Sequence, residues 1–188
     1  MAAVTAAAAR LFAERGPNGV SLRDVADEAN VNVGLIHRHI GTKEDLLAAV
    51  LRARPGAADF DRLRSEMPLA EYVTFLLGVS FDSVQARGLP MDSIAGMHGR
   101  AILDGYDLRK YQDSFPFVDH VVSELGARGL PDETARARAA LVMALVVGWR
   151  LFGPAYLAIA GLDAVGSEEA AEWLSGAIRA LVEAPDGA

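Results

Sequence analysis

The sequence predicts an all-α fold, and three observations indicate it. Apolar residues recur every three or four positions through most of the chain, as in helices with one buried face. No stretch of sequence alternates apolar and polar residues between hairpin turns, so strand signals are missing. Helix-capping patterns stand close together between residues 20 and 47. With 188 residues and 52% hydrophobic content, the chain can bury a substantial core in one or two domains.

The first of these capping patterns begins at Ser21. Ser21 and Asp24 form a capping box, which predicts a helix that begins at about Leu22. We expect that helix to end near Asn30, because Asn tolerates the left-handed conformation needed at a helix end.

Two further helix starts follow within a few residues. Asn32 can cap a second helix, in which Ile36 and Ile40 form the buried stripe. Thr42 and Asp45 form another capping box and open a third helix. Two short helices around a tight turn, braced by the next helix, describe a helix-turn-helix.

This arrangement is suited to DNA, because the second helix of the pair can enter the major groove. The cations Arg23, Arg38 and Lys43 lie in the same segment, together with His37 and His39. The segment therefore indicates a DNA-binding surface.

Residues 4 to 51 resemble the DNA-binding domain of TetR-family transcriptional regulators. The resemblance rests on Ala-Arg-Leu-Phe-Ala-Glu-Arg-Gly at 9–16, Val-Ser-Leu-Arg-Asp-Val-Ala at 20–26, the recognition helix, and Gly-Thr-Lys-Glu-Asp-Leu-Leu at 41–47. It implies a three-helix DNA-binding domain with a bracing fourth helix at residues 1–54, followed by a helical effector-binding and dimerisation domain at 55–188. The DNA contacts predicted on this basis are Ser21, Arg23, Asn32, Val33, Gly34, Leu35, His37, Arg38, His39, Thr42 and Lys43.

Three positions depart from the family pattern. His37 replaces a usual tyrosine, Leu35 replaces a usual threonine, and Met1 stands where many members have an arginine. These departures keep a second hypothesis open, namely a helical small-molecule-binding protein that retains the module but has lost operator recognition. A helical enzyme is the third alternative.

Charge is divided unevenly along the chain. Residues 1–54 carry seven Lys or Arg and six Asp or Glu, whereas residues 55–188 carry eleven and nineteen. The acidic larger part argues against nonspecific coating of nucleic acid, yet cations that converge on one edge of the smaller part can still bind a duplex.

The rest of the chain is predicted to be helical. Helices are expected at about 69–85, 92–103, 108–128 with a break at Pro116, 133–160 with a kink at Pro154, and 168–183. Residues 139–162 approach the length of a membrane span, but Arg150 near the middle and Gly153-Pro154 favour a helix buried in a protein core. No membrane association is therefore expected.

The last two helices indicate burial against a partner. The stretch 139–149 is apolar all round, which an exposed helix of a small monomer could hardly sustain. Both helices could instead fill the core of one chain, but the family resemblance favours a four-helix bundle with a twofold partner. The candidate interface residues are Leu141, Leu145, Trp173, Leu174, Ala177, Ile178 and Leu181.

The middle helices would enclose an effector of unknown identity. Polar-tipped or aromatic residues within apolar helices suit a ligand pocket. The candidates are Tyr72, His98, Arg100, Tyr106, Phe117, His120 and Trp149.

Other chemistries find little support in the sequence. The absence of cysteine excludes disulfides and thiolate zinc sites, and His37 and His39 point apart on a helix, so no metal site is expected. No phosphate-binding glycine motif or nucleophile motif appears, so we expect neither catalytic residues nor a cofactor. No signal peptide is recognised, and a cytoplasmic location is the default. The resemblance to TetR-family regulators therefore implies a homodimeric repressor that a small molecule releases from a palindromic DNA operator.

Overall fold

Helices form all the regular structure in the part of the chain that the structure describes. The structure, a computed structural model, describes residues 1–53, 65–67, 69, 72 and 91–184. The all-α prediction is confirmed. The helices are α1 Ala2–Arg15, α2 Leu22–Glu28, α3 Val33–His39, α4 Lys43–Ala53, α5 Met91–Leu103, α6 Pro116–Ala127, α7 Asp132–Ile159 and α8 Ser167–Glu183, with a short 3-10 helix at Leu108–Lys110.

Contacts divide the chain into two compact units. The first unit comprises residues 1–57 and 90–113, and the second comprises residues 58–89 and 114–188. This division differs from the predicted one at 54/55, because α5 and the loop after it pack with the N-terminal helices. The assignment of DNA binding to residues 1–54 and of effector binding and dimerisation to residues 55–188 remains a prediction.

The core of the first unit is built around α1. This helix contacts α2, α4 and most extensively α5. Its buried residues recur at the spacing of a helix face, and α4 and α2 supply the side chains opposite. The buried side chains include Val4, Ala8, Leu11, Phe12, Val25, Leu46, Leu47 and Val50.

Hydrogen bonds also hold α5 against α1. The Nε–H of Arg100 donates to the carbonyl of Ala13 at 2.6 Å. At the C-terminal end of α5, Asp104 accepts a hydrogen bond from the backbone N–H of Asn18, and the hydroxyl of Tyr106 donates to Oδ1 of Asn18 at 3.2 Å. These contacts make α5 part of the same compact unit as the N-terminal helices.

The second unit has a core formed mainly by α6, α7 and α8. The guanidinium of Arg138 on α7 donates to the carbonyls of Leu181 and Ala184. A cation at the C-terminus of α8 is favourable, because the last carbonyls of a helix have no partner within it and carry partial negative charge. The buried core residues are Leu69, Val121, Leu125, Ala135, Ala139, Val142, Val146, Ile178 and Val182.

One predicted helix is wrong over its first half. In place of a helix from residue 108, the chain forms a 3-10 turn and then nonhelical backbone as far as Phe115. The side chain of Asp107 accepts a hydrogen bond from the backbone N–H of Arg109, a local turn that competes with helix propagation. Pro116 does not interrupt a helix but begins α6, a position where the missing N–H costs nothing.

The other predicted helices after residue 90 are confirmed within a residue or two. α7 continues through Pro154 to Ile159, and the buried Gly153 leaves room for the ring of Trp149. A Cβ atom at residue 153 would lie 2.8 Å from a carbon of that ring. The predicted helix at 69–85 falls largely outside the described residues.

α7 is long and apolar enough to cross a membrane by length and composition alone, but only 17% of its most apolar window is buried in the structure. One face, which includes Ala139 and Val142, lies in the core. The opposite face is exposed, with Leu141 at 52% and Ile159 at 81% exposure. The expectation of a buried core helix therefore holds for one face only.

Candidate functional site

Two capping boxes define the helices of the helix-turn-helix. The backbone N–H of Ser21 donates to the carboxylate of Asp24 at 2.7 Å, and the N–H of Asp24 donates to the Ser21 hydroxyl oxygen at 3.1 Å. Thr42 and Asp45 form the same reciprocal pair at 2.9 and 3.2 Å. Both predicted helix starts are confirmed.

The turn between α2 and α3 also follows the local pattern. Asn30 has φ +52°, so it adopts the left-handed conformation expected at the end of α2. Val31 then donates its N–H to the carbonyl of Ala26 at 2.9 Å. Oδ1 of Asn32 accepts the N–H of Gly34 at 2.7 Å and caps α3. The first turn of α3 is thereby fixed by a side chain that lies just outside the helix.

One buried residue orients α3. Ile36 is only 1% exposed, which turns the opposite face of the helix outward. Because successive residues are rotated by about 100°, Gly34 and Arg38 lie nearly opposite Ile36, with Leu35 and His37 beside them.

The predicted DNA-contacting residues all lie at the surface of the first unit. Nine of the eleven are exposed, and Val33 and Lys43 are partly exposed. Whether they contact DNA remains a prediction, but none is sequestered in the core.

The cations of this surface are available to an anionic partner. Arg10 on α1 pairs with Glu28 on α2 and lies 4.0 Å from Glu14. Within the described residues, no carboxylate forms an ion pair with Arg23, Arg38 or Lys43. The last three residues of α3, His37, Arg38 and His39, all have basic side chains.

Hydrogen bonding lowers the pKa of the two capping carboxylates. The pKa of Asp24 lies below 3.8 mainly because the Ser21 side chain and then its backbone N–H donate to it. The pKa of Asp45 is lowered by the backbone N–H and then the hydroxyl of Thr42. Both carboxylates therefore stay ionised at neutral pH, and they accept the hydrogen bonds that cap α2 and α4.

Three of the predicted ligand residues come together in the second unit. The Tyr72 ring centroid lies 6.2 Å from that of Phe117 and 5.7 Å from that of His120, the latter in an edge-to-face arrangement. His120 also lines a surface cleft of about 730 Å³. The cleft is lined by Ser65, Glu66, Met67, Asp119, His120, Ser123 and Glu124.

The remaining ligand candidates lie elsewhere. Arg100 and Tyr106 make the hydrogen bonds within the first unit described above, and His98 lies 3.4 Å from the side chain of Gln112 there. Trp149 packs against Gly153 on its own helix. The structure therefore does not gather the seven predicted ligand residues into one site.

Sequence reasoning missed six of the seven residues that line the cleft. Five of them are ordinary polar or charged residues, and Met67 is a single apolar one. Such residues carry no signal of their own in a helical sequence. Of the residues that line the cleft, the sequence indicated only His120 on α6.

The candidate dimer residues divide by exposure. Leu141, Trp173 and Ala177 are exposed. Leu145, Leu174 and Leu181 are partly buried against the core of the second unit. Ile178 is fully buried in that core, which leaves no side-chain surface for a partner.

Comparison with known proteins agrees with this architecture. The model of bacterial regulatory proteins of the tetR family matches residues 4–50. An HTH-type transcriptional repressor from Mycobacterium tuberculosis is 35% identical over 182 residues, which cover 97% of this chain and 88% of the relative.

Solved structures share the fold. A TetR-family regulator from Streptomyces coelicolor matches with a TM-score of 0.51 and 25% identity, covering 96% of this chain and 93% of that one. The transcriptional regulator FadR from Bacillus subtilis, in complex with stearoyl-CoA, matches with a TM-score of 0.67 and 16% identity over 98% of both chains.

These similarities extend beyond the helix-turn-helix to almost the entire chain. They confirm the predicted resemblance and the prediction of a DNA-binding transcriptional regulator in place of an enzyme. The chain belongs to the tetR family of bacterial regulatory proteins.

Proposed function

We propose that this protein is a homodimeric repressor that binds a palindromic operator and is released from it by a small molecule. The observation that carries the proposal is the outward face of α3, where Arg38 and its neighbours are exposed opposite the buried Ile36. An exposed, capped helix with free cations is suited to the major groove, where side chains can read base edges.

A palindromic operator requires two copies of this helix. Two recognition helices that occupy successive major grooves must lie about 34 Å apart, and a twofold dimer meets that requirement. The second unit offers a surface for such pairing.

That surface lies on α7 and α8. An uncharged stripe follows one side of α7, and its members recur every three or four residues. The stripe consists of Ala137, Leu141, Ala144, Gly148, Phe152, Ala155 and Ile159, all exposed except the partly exposed Gly148.

One exposed side of α8 is also apolar. Trp173, which is 48% exposed, shares one side of this helix with the exposed residues Gly176, Ala177 and Ala180. Small residues let helix backbones approach closely, and exposed apolar helix faces of this kind mark a protein interaction site. We assign both exposed faces, on α7 and on α8, to contact with a second copy of the chain.

The cleft beside His120 is the proposed effector site. Its volume of about 730 Å³ falls in the range of small-molecule pockets, roughly 300–1,000 Å³. FadR, which shares the fold, is in complex with stearoyl-CoA, so this fold can accommodate a small-molecule ligand.

Release of the protein from its operator follows from the thermodynamic linkage between effector binding and DNA binding. The chain passes between the two units at three places, near residues 57, 89 and 113. An effector that binds better to the dimer with wrongly spaced recognition helices must weaken operator affinity by the same factor. A repressor with this task works where the DNA is, in the cytoplasm.

Selection from a random duplex library tests the proposal. Purified protein at moderate salt is used to enrich bound fragments, which are then sequenced. We expect a near-palindrome whose half-sites are one helical turn apart. Failure of a folded dimer to enrich any motif would contradict the proposal and favour a small-molecule-binding protein that has lost operator recognition.

A further inference from the structure

We propose that Leu35 reads the 5-methyl group of a thymine in each operator half-site. The inference rests on the proposed function and names the base feature that the recognition helix recognises. Leu35 is an apolar side chain on the outward face of α3, where the other residues are polar, basic or without a side chain.

Leu35 is 47% exposed in the described structure, whereas Ile36, its neighbour, is 1% exposed. Ile36 already supplies the contact that holds α3 to the first unit. The packing of α3 therefore does not require a leucine at residue 35. Isolated exposed leucines are common on protein surfaces, so exposure alone does not indicate a role. The place of Leu35 on α3 does.

Position places Leu35 at one side of the outward face, next to Arg38. Leu35 and Arg38 are three residues apart and separated by about 60° around the helix, so their side chains are neighbours. Gly34, on the same face, has no side chain to hold the backbone away from the base edges. The missing side chain at residue 34 lets the helix backbone come closer to the base edges, which brings Leu35 nearer to them.

The Asn32 cap fixes this part of the helix. Oδ1 of Asn32 accepts the N–H of Gly34 at 2.7 Å, and a Cβ at residue 34 would lie 3.0 Å from the same oxygen. The residue before Leu35 is thus held by a contact that leaves little room for a side chain. Leu35 is presented from an ordered first turn.

The chemistry of the groove selects the partner. A leucine side chain neither donates nor accepts hydrogen bonds, so it cannot read the donor and acceptor atoms of the bases. The apolar group that B-DNA displays in the major groove is the thymine 5-methyl group. Leucine is therefore complementary to that methyl group.

The test removes methyl groups from the operator one at a time. In the operator recovered by selection, each thymine is replaced in turn by deoxyuridine, which leaves every hydrogen-bonding atom in place. We expect about fourfold weaker binding at one thymine in each half-site, the effect of losing one buried methyl group, and little change at the others.

Protein variants identify the side chain responsible. In Leu35→Ala, binding is weaker and no longer distinguishes thymine from deoxyuridine at that position. In Leu35→Met, which keeps a long apolar side chain, the distinction persists. Arg38→Ala serves as the matched control, because it weakens binding while retaining the methyl dependence. Circular dichroism confirms that each variant is folded.

The inference and the proposed function fail in different ways. Operator binding without methyl dependence at any thymine, or a dependence unchanged in Leu35→Ala, overturns the inference alone. Failure to select any operator overturns both.

Discussion

Asn18 and Asp104, although 86 residues apart in sequence, are joined by two hydrogen bonds. The backbone N–H of Asn18 donates to Oδ2 of Asp104 at 2.7 Å, and its side-chain amide donates to the Asp104 carbonyl at 3.2 Å. Gly16, at φ +72°, lies so close that a Cβ there would be 2.7 Å from the same carboxylate oxygen. The turn after α1 is therefore fitted to the end of α5.

We predict that Asp104→Ala lowers the free energy of unfolding by about 1–2 kcal/mol. The substitution removes a charge-assisted hydrogen bond and leaves the Asn18 N–H to find another partner. Urea denaturation measures the change. Asp113→Ala, at an exposed residue of the same segment, is the control and should alter the free energy by less than about 0.5 kcal/mol. Equal effects of the two substitutions would contradict the role of the Asn18 contact.

The capping carboxylates predict a loss of stability in acid. Because the folded-state pKa values of Asp24 and Asp45 lie below the ordinary 3.8, their contribution is complete well above that pH. It is lost as the pH falls through the folded-state values. We expect the urea midpoint to fall between pH 5 and pH 3, and to fall less in an Asp24→Asn, Asp45→Asn double variant. Parallel curves for the two proteins would show that other groups cause the acid loss.

Lys43 and Arg38 should differ in what they contribute to DNA binding. We predict that Lys43→Ala weakens binding to operator and random duplex by the same factor and reduces the salt slope by about 0.9 for each phosphate that the variant no longer neutralises. Arg38→Ala should weaken operator binding more than binding to random DNA. Fluorescence anisotropy over a salt series measures both. Arg52→Ala, at an exposed cation of α4, is the control. Equal losses on both duplexes for both variants would remove the distinction.

Trp173 and Leu141 test the proposed dimer face. Both side chains are about half exposed, so replacement by glutamate should leave the fold of one chain intact while placing a charge in the apolar face. We expect Trp173→Glu and Leu141→Glu to halve the mass measured by light scattering and to reduce operator affinity. Glu172→Gln, at an exposed residue next to Trp173 on α8, should remain dimeric. A dimer that survives both glutamate substitutions would place the interface elsewhere.

The cleft in the second unit can be tested by filling it. Ser123 is exposed and lines the cleft, so Ser123→Trp should occupy the space without disturbing the core. We predict normal operator binding and a loss of release by an effector identified with the unaltered protein. Ala127→Trp, at an exposed residue near the end of α6, should respond normally. Unchanged release in Ser123→Trp would move the effector site away from this cleft.

The boundaries of α2, α3 and α4 were predictable because their determinants are local. A capping box joins residues three apart, and a left-handed Asn lies at the helix end itself. The nonhelical stretch before Pro116 was missed, because its apolar residues imitate a helix face while Asp107 closes a turn instead.

No sequence pattern indicated that α5 packs against α1. Arg100 and Tyr106 looked like pocket residues because they are polar-tipped residues near apolar ones. In the structure they bind Ala13 and Asn18, at separations of 87 and 88 residues. The spacing of apolar residues shows which face of a helix is buried. It does not show which other helix packs against that face.

The discontinuity of the first unit constrains how the protein can form during synthesis. Helices α1 to α4 leave the ribosome first, yet α5, which has the most extensive contacts with α1, is translated only after a further stretch of chain that belongs to the second unit. A nascent chain that ends before Met91 lacks the partner that covers this side of α1. Unlike an N-terminal domain that folds as it emerges, the first unit is completed only when translation has reached residue 113 of 188, beyond the midpoint of the chain.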